Sequence, residues 1–202
     1  MSTEGVTTRP RGRPRRAETA QAIVEATLAL LAECGFQATT VDAIAKRAGV
    51  AKNTIYRRWP SKEELIADAL DRLTRPELHV SESASVYEIL REHARDIARI
   101  VADPQVRRIL PDMLGELQRN RAFAVTFAER LLRPRRAAII DSLRQAIAGG
   151  ELRRDADVEL IADLLAGPPF LRVLFPYDVP EMAEHDADVL VDTIWQGLTS
   201  PD

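Results

Sequence analysis

Between Lys52 and Arg57 the chain sets Lys52, Asn53, Thr54, Tyr56 and Arg57 in one short run. An asparagine amide pairs with an adenine edge through two hydrogen bonds, and a lysine ammonium reaches the acceptors of guanine. Threonine, tyrosine and arginine donate to phosphate oxygens, contacts that fix position without reading sequence. Thr40 and Lys62 fall at the expected starts of the flanking helices and Lys46 on the helix before, where further phosphate contacts belong. The chemistry on offer is recognition of a duplex nucleic acid. A catalytic constellation is missing: His79, His93 and His185 are scattered without metal-ligand spacing, Cys34 is expected buried on the first helix, and no glycine-rich phosphate loop follows a strand. No cofactor and no metal are therefore expected, and an enzyme with an unrecognised site is only a remote alternative.

Such side chains need a short helix held at a fixed angle against a second one. Two helices joined by a tight turn require a small residue where they touch, a glycine free to take positive φ, and apolar anchors on either side. Ala45, Gly49 and Ile55 stand at those places, with Ile44, Ala48 and Val50 completing a small core. The pattern predicts helices over 40–48 and 51–59. Ahead of them, Ile23, Ala26, Thr27, Leu30, Leu31 and Cys34 fall at the spacing of one buried helical stripe, which Gly35 ends. Behind them, Ser61-Lys62-Glu63-Glu64 reads as a capping box that opens a helix running to about Arg75, against Pro76.

The net charge of −3 hides an asymmetry. The first 62 residues carry 11 Lys+Arg against 5 Asp+Glu, and the remaining 140 carry 17 against 26. Local charge sets the field that a phosphate backbone meets, so the basic end faces the polyanion. Residues 1–16 form an arm rich in Arg, Pro and Gly, expected to be disordered when free. Its run Arg9-Pro10-Arg11-Gly12-Arg13-Pro14-Arg15-Arg16 resembles an AT-hook, whose extended core lies in a narrow A·T-rich minor groove; a merely electrostatic tail is the other reading. Arg13, Arg15 and Arg16 are accordingly candidate DNA contacts. With one cysteine, no signal-peptide core and no unbroken apolar run of membrane-spanning length, the protein is expected to be cytoplasmic and free of the membrane.

Residues 39–65, TTVDAIAKRAGVAKNTIYRRWPSKEEL, closely resemble the helix-turn-helix of the tetracycline-repressor (TetR) family of bacterial regulators. Thr40, Ile44, Ala45, Ala48, Gly49, Val50, Thr54, Tyr56, Ser61, Lys62, Glu63 and Leu65 fall in register with that motif. Three departures stand out: Ala51 replaces the serine that usually caps the second helix, Arg57 stands where histidine is common, and Trp59 where phenylalanine is. The resemblance implies an all-α fold of about nine helices, a three-helix DNA-binding domain followed by a larger helical ligand-binding and dimerisation domain. The expected organisation is a basic arm at 1–16, the helix-turn-helix domain at 17–62, a connecting helix and linker at 63–84, and the helical domain at 85–202. The expected function is sequence-specific transcriptional regulation, a repressor released from its operator by a small apolar effector. A ligand-independent or partner-controlled repressor or activator is the alternative.

Helices are expected at 86–102, opened by a second capping box from Ser85 to Glu88, and at 104–118, opened by Asp103-Pro104. Others are expected at 120–148, with Pro134 kinking or dividing the helix, at 157–173, where Gly167-Pro168-Pro169-Phe170 breaks or bends it, and at 180–198. In the family, helices corresponding to 86–148 surround an apolar ligand cavity; Leu110, Met113, Leu114, Leu117, Phe123, Phe127 and Phe170 are the candidates here, ordinary core being the rival reading. One helix-turn-helix touches too few bases for useful specificity, so a homodimer on a pseudo-palindromic operator is expected. The resemblance implies pairing through the last two helices. Leu160, Ile161, Leu164, Leu165 and Leu171 form one stripe, and Leu190, Ile194 and Leu198 another; that both only close the monomer core is the rival reading.

Overall fold

The computed structural model describes residues 13–75, 84–175 and 182–199. Among them every regular element is helical. The chain divides into two compact units, Met1–Ala69 and Leu70–Asp202. The expected linker at 76–84 lies, but for its last residue, outside the described residues, as do residues 1–12 of the arm.

In the first unit, α1 spans Arg13–Ala38, α2 Val41–Ala48 and α3 Lys52–Tyr56, and α4 begins at Lys62. Helix α1 starts at Arg13 rather than Ala17, with Pro14 in its first turn where a missing N–H costs nothing. The AT-hook-like run is therefore helical from Arg13 onward, not extended. By length and composition α1 could cross a membrane, but Ile23, Val24, Leu28 and Leu31 are packed into the unit's own core. The buried stripe begins at Ala20, three residues earlier than expected, and Cys34 is exposed, a correction to its expected burial. The reason lies one residue on. Gly35 takes φ 75° and ψ 179°, which breaks the helical path and swings Phe36 into the core in place of Cys34. Thr39 is buried in the same corner, its hydroxyl donating to the Gly35 carbonyl at 2.7 Å.

In the second unit, which takes in the last residues of α4 (Lys62–Leu73), come α5 Val86–Ala102, α6 Pro104–Arg119, α7 Arg121–Phe127, α8 Arg133–Gly149, α9 Val158–Leu174 and α10 Glu184–Thr199. Helix α5 opens with the expected capping box, Ser85 and Glu88 each satisfying the other's backbone N–H. Asp103 caps α6, and Gly150, at φ 79°, ends α8. Between α7 and α8 the backbone widens into a π turn over Ala128–Leu132, just ahead of Pro134. Proline has no N–H to give the carbonyl four residues back, and the wider turn absorbs that mismatch without breaking the path. Counted as one helix, 121–149 makes nine among the described residues. Helix α9 runs through Pro168 and Pro169 without a break.

The core of this unit is laid between α5, α8, α9 and α10, with Leu90, Ala94, Leu143, Leu165, Ala187 and Val191 at its centre. At its edge Asp188 of α10 accepts from two arginines of α5: Arg91 at 2.8 and 3.3 Å, and Arg95 at 2.7 Å on each oxygen. Those donors hold the Asp188 carboxyl well below its ordinary value of 3.8, hydrogen bonding to Arg95 and then Arg91 being the main causes. A depressed carboxyl pKa adds stability in full above the unfolded value, and that stability is lost as pH falls through and below it. Asp188→Asn should therefore cost about 2 kcal/mol near neutral pH and flatten the decline of melting temperature on acidification below about pH 4. Thermal denaturation across pH 2.5–7 checks this; parallel curves for the two proteins would remove Asp188 from the acid response.

Candidate functional site

The turn between α2 and α3 is built as the spacing predicts. Thr40 caps α2, its Oγ1 accepting the Ala43 N–H at 3.1 Å. Gly49 ends α2 in the left-handed region at φ 67° and ψ 33°, and Val50 N donates to the Ala45 carbonyl at 3.0 Å. A Cβ on Gly49 would meet nothing within 4 Å, so backbone conformation rather than space requires glycine there. Ile44, Ala45 and Ile55 are buried and pin the inner faces of α2 and α3. Trp59 is buried below α3, donating its indole N–H to Asp68 at 2.9 Å, and the Arg58 guanidinium lies 5.1 Å from its ring.

With Ile55 turned inward, Lys52, Asn53, Tyr56 and Arg57 are turned outward. Tyr56 is 48% exposed, a large value for an aromatic, and Thr54 is half-buried. Thr40, Lys46 and Arg16 are also exposed, while the side chains of Arg13 and Arg15 lie outside the described residues. Lys52 pairs with Asp42 of α2. Arg47 forms a two-pronged pair with Glu33 of α1, both contacts at 2.5 Å, which ties α2 to α1 and depresses the Glu33 pKa, the hydrogen bond being the main cause. Lys62 is placed otherwise than expected. Its ammonium donates to the Phe36 carbonyl at 2.8 Å and sits 4.0 Å from the Phe36 ring, clasping the end of α1. Arg58, on the turn after α3, is an exposed cation that the sequence reading passed over.

Ala51 precedes α3 with no side-chain cap on the helix. Restoring one by Ala51→Ser should stabilise the first unit by about 1 kcal/mol, read as a rise in its melting temperature. No change would mean that the new hydroxyl stays in water.

The second unit carries a partly open, mostly apolar cavity of two lobes, about 320 and 190 Å³, which share Ile100, Val101, Phe127, Leu132, Arg135 and Phe170. Leu110, Met113, Leu114 and Leu117 of α6 line the larger lobe. Of the seven apolar residues put forward for a cavity, Phe123 alone is absent from it: fully buried, it packs against Phe127 with ring centres 5.9 Å apart and serves the core. His93, Asp96, Ile97 and Leu131 line the smaller lobe, and none of them was anticipated. The signal available in the sequence was the i, i+3, i+4 spacing of His93, Asp96 and Ile97 on one face of α5.

Helix α9 carries apolar residues on two faces. Leu160, Leu164 and Leu171 are exposed, with Leu174 and Phe175 continuing the stripe, whereas Ile161 and Leu165 are buried in the core. Leu198 of α10 is buried likewise, and Leu190 and Ile194 pack partly against the same core. The expected interface residues Ile161, Leu165 and Leu198 are thus core residues: each sits one position from the outward stripe or points to the opposite side of its helix.

Residues 23–69 match the model for bacterial regulatory proteins of the tetR family, and residues 80–194 the model for the tetracyclin repressor-like C-terminal domain. The chain is 36% identical over 168 residues to the HTH-type transcriptional regulator YdeS of Bacillus subtilis (strain 168), covering 83% of this chain and 84% of that one. It is similar in structure to the TetR family transcription regulator SCO0332, with a TM-score of 0.70 and 29% identity over 92% of this chain and 98% of that one. The flavonoid-responsive regulator FrrA superposes with a TM-score of 0.65 and 27% identity, covering 90% and 96% of the two chains.

Proposed function

Given that the chain belongs to the tetR family of bacterial transcriptional regulators, we propose that it is a repressor that binds a two-fold operator as a homodimer and leaves it when a small apolar molecule fills the cavity of its second unit. The observation that carries the DNA-reading half is the presentation of α3. Ile55 fixes its inner face while Lys52, Asn53, Tyr56 and Arg57 stand in solvent, a charged and amide-bearing surface with no part in the core. Asn53 and Lys52 read base edges; Tyr56, Arg57, Thr40, Lys46 and the newly noted Arg58 hold phosphates. Lys52 must leave Asp42 to do so, which lets one residue report whether the duplex is engaged. The basic arm adds electrostatic contacts through Arg9, Arg11, Arg13, Arg15 and Arg16. Such a protein works in the cytoplasm, where its operator is.

For release, the ligand must bind the form that cannot hold the operator better than the form that can. Arg135 supplies a coupling point. It lines both lobes and donates to the carboxylate of Asp71 at 3.1 Å and to its backbone carbonyl at 3.4 Å, near the end of α4. Helix α4 begins at Lys62 in the first unit, so a ligand that displaces Arg135 loosens an element shared with the DNA-reading unit. FrrA, named for its response to flavonoids, is a regulator of similar structure that answers to a small molecule.

The test is selection of bound genomic fragments by the full chain, followed by titrations on a recovered site. Discrete two-fold sites are expected. Asn53→Ala should lower the affinity for such a site by about 1–3 kcal/mol and relax the preference at one base pair in each half. Removing residues 1–12, with Arg9 and Arg11, should reduce the slope of log affinity against log salt by about 2. Equal, weak binding to every fragment would sink the regulator reading; an unchanged slope would take the arm out of the interface.

A further inference from the structure

The cavity of the second unit is unevenly polar. In its larger lobe Leu110, Met113, Leu114 and Leu117 offer hydrocarbon, and the one hydroxyl there, of Thr74, donates back to the Leu70 carbonyl at 2.8 Å. The smaller lobe differs. His93 and Asp96 line it together with Ile97 and Ile100, all on one face of α5. His93 Nδ1 lies 2.9 Å from the Ile89 carbonyl oxygen. A carbonyl only accepts, so Nδ1 carries the proton, and in the neutral ring Nε2 is left as an acceptor. Asp96 is only 4% exposed, and its carboxylate, one oxygen of which lies 3.1 Å from Arg99, also only accepts. Two acceptor groups one helical turn apart in a mostly apolar lobe select for a hydrogen-bond donor.

The charges around the lobe narrow the donor further. Arg135 and Arg136 line it too, but Arg135 is matched by Asp71, and Arg136 by Glu159 at 2.8 Å and by Asp163. A carboxylate ligand would come to rest beside the buried Asp96 carboxylate, a like charge. An ammonium ligand would answer Asp96 but would shed its hydration in a mostly apolar lobe that also carries the Arg135 and Arg136 side chains. A neutral hydroxyl meets neither penalty. Resting on the reading of this cavity as the sensing site, we propose that its ligand is an uncharged, hydroxyl-bearing apolar molecule, a phenol or an alcohol. Its O–H donates to the His93 and Asp96 pair, and its hydrocarbon body fills the lobe walled by Leu110, Met113, Leu114 and Leu117.

Calorimetric titration of the full chain with para-hexylphenol, its methyl ether para-hexylanisole, para-hexylbenzoate and para-hexylbenzylammonium tests this. The phenol should bind about tenfold tighter than the ether or more, and both charged analogues more weakly than the phenol. His93→Phe should bring the phenol down to the level of the ether and leave the ether unchanged. Equal binding of phenol and ether to the unaltered protein, tighter binding of either charged analogue, or a phenol preference that survives His93→Phe would each overturn the hydroxyl assignment while leaving the cavity as the sensing site. Leu114→Trp, which fills the larger lobe, separates the two ideas: it should abolish binding of all four. If it changes nothing, or if none of the four binds the unaltered protein, the sensing-site reading fails and this proposal with it.

Discussion

Ile55→Asp is expected to abolish operator binding while leaving the second unit folded. Ile55 is 1% exposed and is the sole fully buried residue of α3, so it is the main apolar anchor of that five-residue helix against α2 and the core below. A helix of this length has no stability of its own. Truncating a buried isoleucine costs about 2–5 kcal/mol, and a carboxylate left in its place without a partner costs several more or takes up a proton. Lys52, Asn53, Tyr56 and Arg57 would remain in the chain but lose their common pose, and hydrogen bonds to base edges demand that pose. Mobility shift on a recovered operator should show no specific complex, while weak, salt-sensitive attachment through the basic arm survives. Thermal unfolding should show the transition of the second unit little changed. A variant that kept specific binding would mean that α3 is positioned by something other than its buried face.

What could be read in the chain beforehand follows from which forces act locally. The capping box at Ser85 and Glu88, the Asp103-Pro104 start and the Gly49 turn were legible because each is decided by backbone hydrogen bonding within a few residues. The α6 face of Leu110, Met113, Leu114 and Leu117 was legible because, together with Val106 and Ile109, it gathers all the large apolar residues of that helix. Legibility failed where a helix is apolar on two sides. Helix α9 places Leu160 and Leu164 outward and Ile161 and Leu165 inward, each pair at the same spacing, and periodicity cannot say which face meets the monomer's own core. It failed also where a glycine redirects the chain: Gly35 exchanges Cys34 for Phe36 in the core through its non-helical φ and ψ. The polar end of the cavity was hidden for another reason. His93 and Asp96 share one face of α5 with Ile97, a spacing visible in the sequence, but that α8 and α9 close over that face is decided by packing.

That outward stripe on α9 carries the second large effect. Leu160, Leu164, Gly167, Leu171 and Leu174 recur at alternating steps of four and three, the spacing of a helix seam that packs against another helix. Leu164 is 43% and Leu171 51% exposed, and Gly167 leaves open room beside them for a close approach. In the proposed homodimer this seam meets its own copy, an isologous contact in which each substitution is felt twice. Leu164→Arg with Leu171→Arg should therefore bring four guanidinium groups together across one apolar contact, where they are neither paired nor hydrated. Sedimentation should report a monomer. Operator affinity should fall by about two orders of magnitude or more, because each half-site would then be bound alone. Since both side chains already stand in solvent within one protomer, the fold should survive, apart from stability that association itself lends. A doubly substituted protein that still sediments as a dimer would move the interface elsewhere, to a surface where Leu190 and Ile194 of α10 take no part with this stripe. A monomer that kept full operator affinity would instead separate dimerisation from DNA binding and leave the two-fold operator without a physical cause.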